Sequence, residues 1–461
     1  MIFEWRRRRR NSALWDIATV VLLLLLAPVT LARELLTFDG QAEPVSLTPL
    51  AKTKLEFWRP ESAIRDRDPT PQERALRISG EAGSGFVTKI ESAKTLDWQK
   101  TESIAFWVHR SAEELKEHPT VSLDVRLIEE DNNAHFWRKV DLPHRGWQKI
   151  VLPLDWFRWS DGRIPRWKKV RSIAFLLRDP AELTIDTVWT IPTERARDEF
   201  QSAEVIAAVA FPKDAAGREP PNVRTLETRD AQLLTNALSL ELEQLAGHLA
   251  LVTKEVRREM PFLAEPDRGP LLVVFQTRDE YRQFVPRYAR LLNGQASPPG
   301  SAGFTVQSVS VSSWNVQLGS LRPVYTHEFL HGYFCRAARL PCNGDWLHEG
   351  LASYFQLKLH PQANLNAIIS EGLKSDKHHE PLKELCNGQQ IANSRYWQAT
   401  TLCQMLLTEQ RFRAGLPLLF DRLRDSKTTD LGPHLDPVWQ TDWEQFSADW
   451  RAFCEKQFPK K

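Results

Sequence analysis

The chain has 461 residues, 42% of them hydrophobic and 26% charged. That is the balance of folded protein rather than a disordered or low-complexity chain, and the length suits two or three units. Lys and Arg number 61 against 59 Asp and Glu, so the chain as a whole lacks the positive field that concentrates nucleic acid around its binding proteins, and a nucleic-acid partner is excluded.

Basic charge is concentrated at one place. Arg6 to Arg10 run into the apolar stretch Ile17 to Ala32, the pattern of an export signal. Its sixteen residues, at about 1.5 Å each, reach roughly 24 Å, short of the ~30 Å hydrocarbon core. Thr30-Leu31-Ala32 offers small residues for cleavage after Ala32. Residues 1–33 are therefore expected to be a cleaved signal or a short anchor built on residues 13–32, and this segment is the expected membrane contact. Either way the chain after Arg33 lies outside the cytoplasm, periplasmic or secreted. Residues 34–50 mix Pro, Ser, Thr and Gly without period and read as a linker.

From residue 51 to 195 the pattern alternates with period two. Ile104, Phe106 and Val108 point one way, Ala105, Trp107 and His109 the other; Val121 to Leu127 and Ile150 to Leu154 repeat the scheme. Leu183, Ile185, Thr187 and Trp189 read as one more face. Short strands without intervening helices predict an all-β sandwich. Gly146-Trp147-Gln148-Lys149-Ile150-Val151-Leu152-Pro153-Leu154 and Ile185-Asp186-Thr187-Val188-Trp189, after Ala75-Leu76-Arg77-Ile78-Ser79-Gly80, resemble the galactose-binding-like jelly rolls of carbohydrate-binding modules. Nine tryptophans lie between Trp58 and Trp189. Large aromatics are ordinary strand-face residues, so packing is their default role. The resemblance implies glycan binding as the alternative.

Beyond Pro192 the period changes, which marks a boundary between separate cores. Leu234, Leu238, Leu242, Leu245 and Leu249 recur at helical spacing, and Leu271 to Phe275 form a short strand-like run. Thr277-Arg278-Asp279-Glu280 reads as a capping box opening a helix. From Leu321 onward nearly all apolar spacing is helical. Residues 196–461 are thus expected to be an α+β unit with a small sheet and a mostly helical lobe.

His327-Glu328-Phe329-Leu330-His331 sets two imidazoles four positions apart. On a helix that is one turn along and about 40° round, so both project from one face and can share a zinc ion at ~2.0–2.1 Å. Glu328 lies beside that face, placed to take a proton from water. Eighteen residues after His331, Trp346-Leu347-His348-Glu349-Gly350-Leu351-Ala352 sets a carboxylate on a second helix. Two neutral histidines and one carboxylate leave zinc a net positive charge and an open position, the pattern of a catalytic site. Reading both histidines as merely satisfied side chains leaves the second motif unexplained.

The paired motifs resemble those of gluzincins, HExxH zinc peptidases whose third ligand is a glutamate, and especially the peptidase-MA-like group related to aminopeptidases with a Trp-Leu-x-Glu-Gly signature. The resemblance spans about residues 200 to 461. It implies a zincin-like metallopeptidase domain, one Zn2+ per chain held by His327, His331 and Glu349, Glu328 as general base, and a peptide or protein substrate. It also implies a downstream tyrosine that steadies the oxyanion; Tyr396, heading Tyr396-Trp397-Gln398-Ala399-Thr400-Thr401-Leu402, stands there, a core aromatic being the alternative. The Gly-x-Met-Glu-Asn segment of the exopeptidases is absent from the sequence. Aminopeptidase activity is therefore not carried over.

Three readings stay open. Gly303 to Val311 is either the edge strand along which a peptide lies extended or an internal strand. Asp345 reads as a solvated loop carboxylate, with orientation of a ligand histidine as the alternative. Of five cysteines, Cys335, Cys342, Cys386, Cys403 and Cys454, at least one must stay free or pair between chains. A Cys335–Cys342 bridge would pin the loop leading to Glu349; two free thiols are the alternative. The function expected is zinc-dependent peptide-bond hydrolysis outside the cytoplasm. Its rival is a non-catalytic surface protein that binds glycan or a partner and uses the zincin unit as scaffold.

Overall fold

The structure, a computed structural model, describes residues 34–458 except 37, 39–46, 59–73, 91–95, 112–120, 131–134, 143, 158–164, 214–215, 219, 221, 293–296, 342–343, 364 and 375–378. The expected signal or anchor lies outside the described residues, and no helix among them is long and apolar enough to cross a membrane.

Alternating apolar residues build the strands of the first half: β1 (Glu34–Leu36), β2 (Thr48–Leu50), β3 (Lys54–Trp58), β4 (Ala75–Gly80), β5 (Gly85–Lys89), β6 (Thr101–Arg110), β7 (Val121–Glu129), β8 (His135–Leu142), β9 (Gly146–Pro153), β10 (Val170–Leu177) and β11 (Ala181–Pro192). They form two antiparallel sheets, β3-β4-β11-β6-β9 with β1 added against β11, and β2-β5-β10-β7-β8. Ile104, Phe106, Val108, Val121, Leu123, Val125 and Leu127 fill the space between them, the arrangement of a β-sandwich.

Two expectations need correction here. Residues 34–50 are not simply a linker: Glu34 pairs with Trp189 and Thr48 with Val87, and Leu35, Leu36 and Phe38 are buried in the sandwich core. In β11 the alternation breaks at a bulge between Asp186 and Val188, where Thr187 has φ +25°. The extra residue shifts the register by one. Val188 therefore joins Leu183 and Ile185 inside the sandwich, while Trp189 turns outward with Trp107.

The chain leaves β11 through α1 (Thr193–Phe200) and α2 (Ala203–Ala210), then forms β12 (Arg224–Glu227), β13 (Gln232–Thr235), α3 (Leu242–Glu259), β14 (Leu271–Phe275), α4 (Arg278–Leu291), β15 (Gly303–Val306) and β16 (Val309–Ser313). These strands make a third sheet of order β12-β13-β14-β16-β15, whose three inner strands are parallel. The expected capping box is present at the start of α4. The leucine run does not begin as helix: Leu234 lies in β13 and Leu238 is 62% exposed in a loop before α3. Pairing with β14 outweighs the local period, and Thr235 ends the strand by donating to Val274 O at 2.5 Å while accepting from Ala237 N at 2.9 Å. The rest is helical: α5 (Pro323–Ala337), α6 (Trp346–Leu359), α7 (Leu365–Gly372), α8 (Leu382–Leu385), α9 (Tyr396–Thr408), α10 (Gln410–Arg413), α11 (Leu416–Ser426), α12 (Leu435–Trp439) and α13 (Trp443–Gln457).

The third sheet has two covered faces. Leu233, Leu272 and Val274 pack with Leu249 of α3 and Phe329 of α5. On the other face Leu234, Leu271, Val273, Phe275, Val309 and Val311 pack with α4, and this cluster runs on into Ala105, Trp107, Val151 and Trp189 of the sandwich. Two of the three apolar clusters thus stay within one half of the chain, and the third joins both halves. Trp107 is 2% exposed, and Trp107→Ala is expected to cost about 3–5 kcal/mol. Urea unfolding followed by the helical far-UV signal checks it; a midpoint equal to wild type would mean that the helical half does not depend on the sandwich.

Candidate metal centre

Pro323 opens α5, where its fixed φ suits the first turn and its missing N–H costs nothing. One turn further on, His327 and His331 share a face. Asp345 caps α6: its Oδ1 accepts from Leu347 N at 3.0 Å and His348 N at 3.3 Å, placing Glu349 at the end of the first turn. Asp345 is therefore a buried helix cap, not a solvated loop carboxylate, and burial lifts its pKa to about 7. Gly350 lets α6 approach α9, since a Cβ there would stand 2.5 Å from Ala399 O and 2.6 Å from Cys403 Sγ. That close approach brings Tyr396, first residue of α9, to the site.

The expected ligand atoms converge. His327 Nε2 is 3.1 Å from His331 Nε2 and 3.2 Å from Glu349 Oε2, and His331 Nε2 is 3.5 Å from the same oxygen. Ligands at ~2.0–2.1 Å on a tetrahedral ion stand about 3.3–3.4 Å apart, so the three atoms already have the spacing a zinc ion requires. His327 Nδ1 lies 3.0 Å from Gln356 Oε1. An amide oxygen can only accept, which puts the proton on Nδ1 and leaves the Nε2 lone pair for a metal. The residues fit zinc in number, type and geometry.

Charge is arranged to match. Burial disfavours a charged His331, yet Glu349, with Glu328 and Asp345, holds its pKa up at about 9. Against the upward push of burial, His331 and His327 keep Glu349 well below the usual carboxylate range. These buried groups compensate one another, as a bound cation would compensate the carboxylate.

Glu328 is 6% exposed. Its Oε2 accepts from Thr305 Oγ1 at 2.7 Å, and its backbone carbonyl accepts from Ser310 Oγ at 2.6 Å. Gly303 faces it so closely that a Cβ would lie 2.5 Å from Glu328 Oε1. Burial raises the Glu328 pKa while His331, His327 and Thr305 oppose the rise. The Tyr396 ring stacks on His327 with centroids 6.3 Å apart and planes at 12°. Burial, then the Glu349 carboxylate, which also hydrogen-bonds its hydroxyl, pushes the phenol well above its ordinary pKa. It remains a donor throughout the physiological range.

The structure thus brings together all five expected catalytic and metal residues. Of the expected Cys335–Cys342 pair, Cys335 is a free, half-buried thiol and Cys342 lies outside the described residues. Two contributors were missed in the sequence. Gln356 had a signal, because seven residues after Glu349 is close to two turns and the same face of α6. Thr305 had none, since it reaches Glu328 from a separate strand.

No protein-family model and no curated protein sequence matches this chain. Among solved structures, it is similar to a family 11 carbohydrate-binding module from Clostridium thermocellum in complex with a β-1,3-1,4-mixed-linked tetrasaccharide, at 14% identity over 35% of this chain and 95% of that one, with a TM-score of 0.26. It is likewise similar to the CBM22-1 xylan-binding domain from Paenibacillus barcinonensis, at 12% identity over 35% of this chain and 94% of that one, with a TM-score of 0.23. The sandwich rests on its own strand pairing, described above.

Gln356→Ala leaves all three ligands in place but frees the His327 ring. Metal affinity measured by chelator competition is expected to fall about 10- to 100-fold; an unchanged affinity would remove Gln356 from the site.

Proposed function

We propose that this chain is a zinc-dependent peptidase of the gluzincin type that hydrolyses peptide or protein substrates outside the cytoplasm. The observation that carries this reading is the convergence of His327, His331 and Glu349 within 3.1–3.5 Å beside a buried glutamate. A zinc ion held there would polarise a scissile carbonyl and acidify a water molecule. Glu328, with its pKa raised by burial, takes a proton from water and returns it to the leaving amine. Thr305 holds the carboxylate and Gly303 leaves it room. Tyr396, protonated and stacked on His327, donates to the oxyanion as charge develops there.

A second reading has its own observation. On the outer face of the β3-β4-β11-β6-β9 sheet, half-buried Trp58, His109 and Trp147 lie with ring centroids 5.2–6.3 Å apart, and Arg77 sits 5.2 Å over Trp58. Such a patch suits a glycan- or partner-binding protein in which the metal unit is scaffold. Zinc bound without any turnover of a broad peptide library would favour it.

Two substitutions test the peptidase reading. Glu328→Gln is expected to keep one zinc per chain, by metal analysis, and to lose the chelator-sensitive hydrolysis of casein, because an amide cannot act as base. Near-wild-type turnover would sink the mechanism. Tyr396→Phe keeps every ligand and most of the packing, so zinc content and melting temperature should hold while kcat falls about 10²–10³-fold. A loss of less than a few-fold would make Tyr396 a core aromatic.

A further inference from the structure

β15 ends the third sheet: β16 is its partner on one side, and no described strand pairs with the other. Its side chains alternate. Gly303 and Thr305 turn towards α5, where they touch and hydrogen-bond Glu328. Phe304 and Val306 turn to the opposite face. There they line a recess of about 280 Å³ with Val285, Tyr288 and Ala289 of α4 and with Arg138 and Trp156 of the sandwich.

A peptide pairing with the free edge of β15 would also alternate its side chains, one set passing the metal residues and the other facing this recess. At ~3.3 Å per residue, Phe304 stands one strand step from the threonine that holds Glu328. The recess thus lies within a residue or two of the chemistry. It has room for one large side chain, and its walls are mostly aliphatic and aromatic.

The one charged group on those walls is Arg138, from β8. Its guanidinium lies 4.6 Å over the Trp156 ring, and among the described residues it has no ion-pair partner. Asp141, the carboxylate that acts on it at a distance, is paired with Lys139 at 2.9 Å. A cation entering the recess would meet Arg138, whose only acting carboxylate among the described residues, Asp141, is already shared with Lys139.

We infer that the sandwich completes the substrate cleft: Arg138 and Trp156, with Phe304 and Val306, form a subsite that takes a large apolar side chain of the peptide and rejects lysine and arginine. The inference rests on the peptidase reading, and its test separates the two. The full-length protein, Arg138→Glu and Trp156→Ala are each incubated with a randomised peptide library, and cleavage sites are sequenced. Wild type should favour bulky apolar residues and deplete Lys and Arg at one position beside the scissile bond. Arg138→Glu should raise kcat/KM for Lys and Arg at that position about tenfold or more relative to alanine there. Trp156→Ala should lower the preference for large over small apolar residues about tenfold. Zinc content and melting temperature report folding, and Arg138→Gln, expected to relax the rejection without reversing it, serves if the glutamate variant does not fold. Chelator-sensitive cleavage with an unchanged profile in these variants would overturn the subsite and leave the peptidase reading standing. No chelator-sensitive cleavage by wild type would overturn both.

Discussion

The centre of the C-terminal half rests on one constraint: an imidazole pair on one helix and a carboxylate on another are held within 3.5 Å while largely out of water. Burying that many ionisable groups costs several kcal/mol for each one left uncompensated. The fold answers locally. Asp345 fixes the start of α6, Gly350 seats that helix on α9, Gln356 sets the tautomer of His327, and Thr305 and Ser310 hold Glu328 from the sheet. Each contact loses its purpose if α5 and α6 drift apart.

The five-stranded sheet is the rigid reference for this geometry. One face carries α5 and therefore both histidines and Glu328. The opposite face is closed by α4 together with Trp107, Trp189 and Val151 of the sandwich. A sheet with two apolar faces needs two covering layers. In this chain part of the second layer is another β-sheet, where a helix would ordinarily lie. Polar contacts reinforce the junction: Lys149 pairs with Glu199, and Lys427 Nζ donates to Thr101 O at 2.5 Å.

What could be read from the residues alone divides along physical lines. His327, Glu328 and His331 share one turn of helix, and the Trp346-to-Ala352 motif carries Glu349 with its own helical context, so local spacing was enough. The capping box at Thr277 and the alternation of Ile104 to Val108 were legible for the same reason. Long-range pairing was not. The strands Glu34–Leu36 and Thr48–Leu50 are too short to show a period, Leu234 belongs to a strand by virtue of β14, and the bulge at Thr187 depends on what β6 places opposite it. Asp345 looked like a loop residue because a helix cap and a solvated turn carry the same letter.

The shared cluster around Trp107 also bears on how the chain is made. The sandwich precedes the helical half along the chain, so it emerges first, and domains tend to fold as they emerge. Its outward-facing Trp107 and Trp189 then stand ready as one wall of a sheet not yet made. The strands that later carry Thr305 and Ser310 thus meet part of the cover for one face, shared with α4, already in place. A chain shortened to the helical half would leave Val151, Trp107 and Trp189 missing from the cover of that sheet, and the exposed apolar strip would be a site for association between copies.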